Sequence, residues 1–193
     1  MKRIIIIFLI GILVSPLLKA QNSINNEQDR VFGKNNLSLF LSDVVMKRLS
    51  FEYEHIMGEK GNMSINIPAS VSIGTMEDIY GDETQWWVGM GMKLYPTGQG
   101  IIRYYFGPEV RIMGAHLVHE DCYYDYETGQ ETVTPKEMDL IHSAFLLNNG
   151  MIYEPTENFI FTVNLGLGFV SRDAKDPGFY PMATPSVRMG IRF

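Results

Sequence analysis

The last eleven residues, Ala183 to Phe193 (A-T-P-S-V-R-M-G-I-R-F), leave the chain few ways to fold. Ala183, Pro185, Val187, Met189, Ile191 and Phe193 share one face; Thr184, Ser186, Arg188, Gly190 and Arg192 share the other. A period of two is the strand period, because successive side chains point to opposite sides of a pleated backbone. The segment therefore reads as a strand with one apolar and one polar face, ending on an aromatic residue.

The same alternation recurs upstream. Strands are expected at about 36–42, 48–56, 63–73, 86–95, 101–113, 138–153 and 159–170, with 183–193 as the eighth. The clearest is the second, where Leu49, Phe51 and Tyr53 alternate with Arg48, Ser50, Glu52 and Glu54. Pro68 in the third cannot donate to a ladder and predicts a bulge or a break. In the sixth, Asn148 and Asn149 are neighbours, so the register is ambiguous unless a bulge shifts the phase. After a short first turn at 43–47, connections alternate between short (57–62, 96–100, 154–158) and long (74–85, 114–137, 171–182). An even number of antiparallel strands with short turns at one end and long loops at the other is the pattern of a membrane barrel.

The start of the chain reads as an export signal. Met1-Lys2-Arg3 is basic, Ile4 to Val14 is apolar apart from Gly11, and Ala20 is the expected cut site. The expected organisation is a signal peptide at 1–20, a polar lead-in at 21–35 and a barrel at 36–193. Removing residues 1–20 leaves 13 basic against 22 acidic side chains, a net charge of −9, which argues against nucleic acid as a partner. The single Cys122 cannot form an internal disulfide. After the signal no apolar run reaches the roughly 18 residues of a spanning helix.

A soluble β-sandwich would also alternate, and three features separate the two. A soluble sheet turns its polar face to water and would fill it with Lys, Glu and Thr. Here that face carries Gly, Ser and Asn with scattered charges of both signs: Arg48, Glu52, Glu54, Lys93, Arg103, Glu109, Arg111, Arg188 and Arg192. Such a set suits a narrow interior crossed by ion pairs, because an unpaired buried charge is costly. Trp86 and Phe169 mark one rim; Tyr153, Phe159 and Phe193 mark the other, as in the aromatic girdles of membrane barrels. The export signal together with terminal Phe193 is the third.

On Ala183 to Phe193, the Leu49-Ser50-Phe51-Glu52-Tyr53-Glu54 strand and Leu165-Gly166-Leu167-Gly168-Phe169, the chain resembles the small eight-stranded outer-membrane β-barrels of Gram-negative bacteria, such as OmpX or the transmembrane part of OmpA. The resemblance covers about 35–193. It implies an all-β, antiparallel, up-and-down barrel in the cell outer membrane. It also implies a side-chain-filled lumen and recognition of the terminal strand, ending at Phe193, by the barrel-assembly machinery.

The function expected is structural or surface-interacting, with outer-membrane lipid as one partner. The long loops 74–85, 114–137 and 171–182 are the candidate site for a cell-surface ligand. The alternatives are a lipid A-modifying enzyme and a narrow channel for small solutes. No catalytic residue, metal or cofactor is assigned. His142 and Ser143 are adjacent, so on a strand they point apart and cannot form a base–nucleophile pair. His116, His119, Glu120, Asp121 and Cys122 are metal-ligand types, but their spacing matches no closed site and a solvated acidic loop explains them. Tyr123, Tyr124 and Tyr126 suit either adhesion or loop self-packing. His55 falls on the apolar face near one rim.

Overall fold

A computed structural model describes residues 33–58, 61–74, 83–125, 130–172 and 178–193, with side chains for all of these except 83, 117–125, 130–137 and 172. The expected signal peptide and most of the lead-in lie outside the described residues. The chain forms β1 (Asn35–Phe40), a one-turn helix α1 (Leu41–Val45), β2 (Arg48–Met57), β3 (Met63–Ser72), β4 (Glu83–Leu94), β5 (Ile102–Asp125), β6 (Gln130–Tyr153), β7 (Phe159–Arg172) and β8 (Gly178–Arg192). All neighbours pair antiparallel in chain order, and β8 pairs back onto β1, closing a barrel of eight strands. Closure leaves a sheet without a continuous open edge.

The barrel's size and tilt follow from its register. A path perpendicular to the strands runs from Leu39 through Phe51, Ala69, Val88, Ile112, Ser143 and Ser171 to Phe179, while Leu39 itself pairs with Met189. The start and end of that path are ten residues apart on β8, which is the stagger of the sheet. Eight strands with that stagger tilt by about 40° and enclose a space that side chains can fill.

Burial follows the alternation. Phe51, Ile65, Val88, Val110, Phe145, Leu165 and Ile191 point outward and are exposed, whereas Glu52, Asn66, Arg111, Asn164 and Arg188 point inward and are buried. This is inside out relative to a water-soluble protein. The girdle residues Trp86, Phe169, Tyr153, Phe159 and Phe193 all face outward. His55 is also outward, at the inner rim, with its Nδ1 2.9 Å from Asn35 Oδ1.

Several expected boundaries are corrected. The long connection at 114–137 is mostly strand: β5 and β6 stay paired out to Asp125 and Gln130. The loops at 74–85 and 171–182 are likewise shortened, because β4 starts at Glu83, β7 runs to Arg172 and β8 starts at Gly178. Alternation fades in these stretches, which are polar on both faces in 83–85 and apolar on both faces in 178–182, so sequence periodicity cannot see them. Residues 41 and 42 are helical, not strand. At Pro68 the β3–β4 ladder is interrupted between Asn66 and Ala69 while the register is kept, so the missing donor causes a break without a bulge.

The sixth strand needs no bulge either. Asn148 points inward and Asn149 outward, and the Asn149 amide donates to the Tyr104 hydroxyl, also on the outer face. A polar group on an apolar wall is tolerable when a neighbour satisfies it.

Glycine makes room for the interior. A Cβ on Gly150 would lie 2.6 Å from the Tyr105 ring, and one on Gly91 2.7 Å from Asn66 Oδ1. Tyr105 is fully buried in the lumen, so Gly150→Val must displace it. The expected cost is about 1–3 kcal/mol, the usual range for overpacking, read from urea unfolding of the refolded protein. Unchanged stability would show that the Tyr105 site has slack.

Candidate functional site: the lumen

Four layers fill the lumen, two charged and two apolar. The middle layer carries charge. Glu52 receives Lys93 Nζ at 2.6 Å on Oε1 and Arg188 Nη1 at 2.5 Å on Oε2, where the Asn66 amide also donates at 3.0 Å. Glu54, two residues on along the same face, receives Lys93 Nζ and the Asn36 amide, each at 3.0 Å, and the Ser64 hydroxyl at 2.5 Å. The Tyr95 hydroxyl donates to it too. Glu109 receives Arg111 Nε at 2.5 Å and the Asn148 amide at 2.8 Å. Asn164 then donates to Asn148 at 3.0 Å and accepts from Tyr105 at 3.0 Å, and the Tyr105 hydroxyl accepts from Arg188 at 2.5 Å. The result is one bonded chain across β1 to β8.

A second charged group closes the inner end. Glu154 Oε2 forms an ion pair with Arg103 Nη2 and accepts a hydrogen bond from Arg192 Nη1, both at 2.8 Å. Gln99 Oε1 accepts from the same two guanidiniums, at 3.0 Å from Arg192, and Arg192 Nε donates to the Gly33 carbonyl at 2.6 Å. Between the two charged groups sits an apolar cluster of Tyr95, Tyr105, Ile152 and Ile160. Lys93 Nζ lies 5.1 Å from the Tyr105 ring centroid.

The outer layer is apolar: Phe40, Trp87, Met113, Ala144 and Val170, with Tyr180 and Met182 packed against them. Phe40 meets Trp87 edge-on, with centroids 6.1 Å apart and planes at 83°. Arg111 stacks 4.0 Å from the Trp87 centroid and Arg188 5.0 Å from that of Phe40, so the aromatics also cover the guanidiniums below them.

Of the charged residues expected inside, the lumen holds Glu52, Glu54, Lys93, Arg103, Glu109, Arg111, Arg188 and Arg192, all buried. Arg48 departs from that expectation. It shares the inward face but stands half-buried at the outer rim, where it donates to the Thr84 carbonyl at 3.5 Å. It is the first residue of β2, at the strand's outer end, four residues beyond that strand's outermost lumen carboxylate, Glu52. Sequence reasoning missed Glu154, which it assigned to a turn. Its parity with Asn148, Gly150 and Ile152 was the available signal. It also missed the amides and phenols that complete each carboxylate's shell. Phe193 faces outward, and its backbone exchanges two hydrogen bonds of 2.9 Å with Asn35.

His142 is buried in the lumen while Ser143 is on the outer face, so the two point apart. Among the described residues no cluster of metal-ligand side chains occurs. His116 contacts Asp139 at 3.0 Å. The side chains of His119, Glu120, Asp121, Cys122, Tyr123 and Tyr124 lie outside the described residues, as does all of Tyr126.

No family model matches this chain, and no curated protein does. Among solved structures, the crystal structure of the N-terminal β-barrel domain of Pseudomonas aeruginosa OprF aligns with a TM-score of 0.48 at 8% identity, over 85% of this chain and all of that one.

The lumen makes a quantitative prediction. Removing one member of a buried ion pair leaves the other charge uncompensated, at a cost of about 3–5 kcal/mol. Glu52→Ala should therefore destabilise strongly, and Glu52→Ala/Arg188→Met should recover part of that loss. A coupling energy near zero in the double-mutant cycle, measured by denaturant unfolding, would show that Glu52 and Arg188 act independently.

Proposed function

We propose that the chain is an outer-membrane β-barrel protein with a sealed lumen and a structural or surface-interaction role. The observation that carries this reading is the sorting of side chains. An exposed apolar belt between two aromatic rims has no stable place in water, and matches the lipid-facing surface of membrane barrels. The charged lumen is filled and bonded across, which favours a plug over a conducting path. Phe193, facing outward at the end of the closing strand, is the residue we assign to recognition by the assembly machinery.

The surface role rests on β5 and β6. The β4–β5 ladder ends at His116 and the β6–β7 ladder at His142, yet β5 and β6 stay paired to Asp125 and Gln130. Nine residues from His116 to Asp125 span about 30 Å at the usual strand rise. A two-stranded ribbon of that reach, standing beyond the barrel wall, is suited to present a surface to other molecules. The lipid A-modifying alternative would need a base and nucleophile on one face, which His142 and Ser143 do not supply. His142→Ala is therefore expected to leave cellular lipid A unchanged.

Fractionation and heat-modifiable gel mobility test the reading together. The protein should partition with the outer membrane, and unboiled samples should run apart from boiled ones as a compact barrel. Planar-bilayer recording should show no steady conductance. Leu165 faces outward near the middle of β7, so Leu165→Arg should destabilise the protein in vesicles by about 2–4 kcal/mol, the cost of a midplane arginine. A soluble protein with heat-insensitive mobility would sink this reading.

A further inference from the structure

The wall of the barrel is not equally closed all round. β1 pairs with β8 over five residues only, from Asn36 with Arg192 to Phe40 with Arg188. β8 pairs with β7 over its whole length, out to Gly178. Phe40 therefore ends opposite Arg188, seven residues inward of Pro181, which is the partner of the outer-rim residue Phe169. At the strand rise and tilt already given, that is about 15–20 Å below the rim. Among the described residues, β8 borders α1 instead of a strand from mid-wall outward.

β8 is built for an open edge there. Phe193 N–H donates to Asn35 on the β1 side and Arg192 N–H to Asn158 on the β7 side, so odd-numbered residues of β8 turn their N–H toward β1. The register with β7 has no shift, so this holds outward along the strand. Pro181 and Pro185 are both odd-numbered. Two of the donors that a neighbouring strand would need are therefore missing from the chain itself. A third, Val187 N–H, donates to the Ser42 hydroxyl of α1 at 3.4 Å.

The cover is slight. α1 is one turn long, none of its residues is buried, and its N-cap has no side-chain bond. It is tied to β8 through Ser42 and to β2 through Ser50, whose hydroxyl donates to Asp43 at 2.5 Å. Val44 and Val45 of α1, and Met46 just after it, are exposed. Behind this cover lies the apolar outer layer of the lumen, with Phe40 at its base and Tyr180 and Met182 of β8 half-buried at its side.

We propose that the outer half of the β1–β8 seam is a lateral port, with α1 as its plug, through which an acyl chain of a membrane lipid reaches the apolar layer around Phe40 and Trp87. The inference rests on the membrane placement given above. The occupant is identified by chemistry. An extended peptide would need the ladder donors that Pro181 and Pro185 lack. A hydrocarbon chain needs none, and it is what surrounds the seam at this depth. Both surfaces it would touch, the exposed side of α1 and the lumen layer behind it, are apolar.

The two tryptophans, one on each face of β4, make the test. Trp86 faces outward and Trp87 lies in the lumen layer. Single-tryptophan variants Trp87→Phe and Trp86→Phe are refolded into phosphatidylcholine vesicles with plain or brominated acyl chains, and bromine quenching is read from emission. Trp86 should be quenched in any case; if it is not, the membrane reading fails before the port is tested. Trp87 should also lose emission, and a Ser42→Cys/Val187→Cys cross-link in a Cys122→Ser background should restore most of it. Ser42→Ala, which needs no cross-link, should deepen the quenching. Trp87 emission indifferent to bromine, or equally quenched with the seam locked and with Ser42→Ala, would overturn the port.

Discussion

The fold depends on the neutralisation of charge inside a space that water does not fill. Four carboxylates (Glu52, Glu54, Glu109 and Glu154) and five cations (Lys93, Arg103, Arg111, Arg188 and Arg192) are buried in one lumen. Taking any of them out of water costs several kcal/mol unless partners repay it with short, multiple hydrogen bonds. The middle layer does so at parity, three acids against three cations. The inner group has two guanidiniums for one carboxylate, and the excess is spread onto the Gln99 and Gly33 carbonyl oxygens. Lys93–Glu52, Arg188–Glu52 and Arg192–Glu154 join strands that are not neighbours, so these bonds also brace the barrel's cross-section.

The same network explains why the lumen layers are ordered as they are. Aromatic side chains are placed against cations, Trp87 on Arg111 and Phe40 on Arg188 at the outer side, Tyr105 on Lys93 at the inner side. Each contact extends an apolar layer without abandoning a charge. Small residues permit it: Gly150 and Gly91 stand where a Cβ would collide with Tyr105 and Asn66. The glycine-rich polar face is therefore a packing requirement of a narrow barrel, not a sign of a water-filled one.

Rigidity is uneven around the wall. β7 and β8 share fourteen paired residues, β5 and β6 twenty-four, and β1 and β8 five. The surplus on β5 and β6 becomes the ribbon that stands beyond the barrel. The deficit at β1 becomes the seam that α1 covers. Both ends of this range are at the rim that carries Trp86 and Phe169, while the other rim is closed by Glu154, Arg192 and the Asn35–Phe193 ladder.

The sequence by itself determined the number of strands, their order and which face of each is apolar, because a period of two is written locally in every segment. Leu49, Phe51, Trp86, Leu165 and Phe193 could be assigned outward from parity alone, and eight of the nine charges expected inside are buried there. Tertiary structure alone decided which charges meet, since Glu52 and Arg188 are brought together only by the ten-residue stagger of a closed sheet. It also decided that Glu154 belongs to the lumen, that Arg48 stops at the rim, and that Asn149 can face outward because Tyr104 stands beside it. The seam was not legible: Pro181 fell in an expected loop, and only the direction of hydrogen bonding along β8 shows that Pro181 and Pro185 both face the side β1 leaves uncovered.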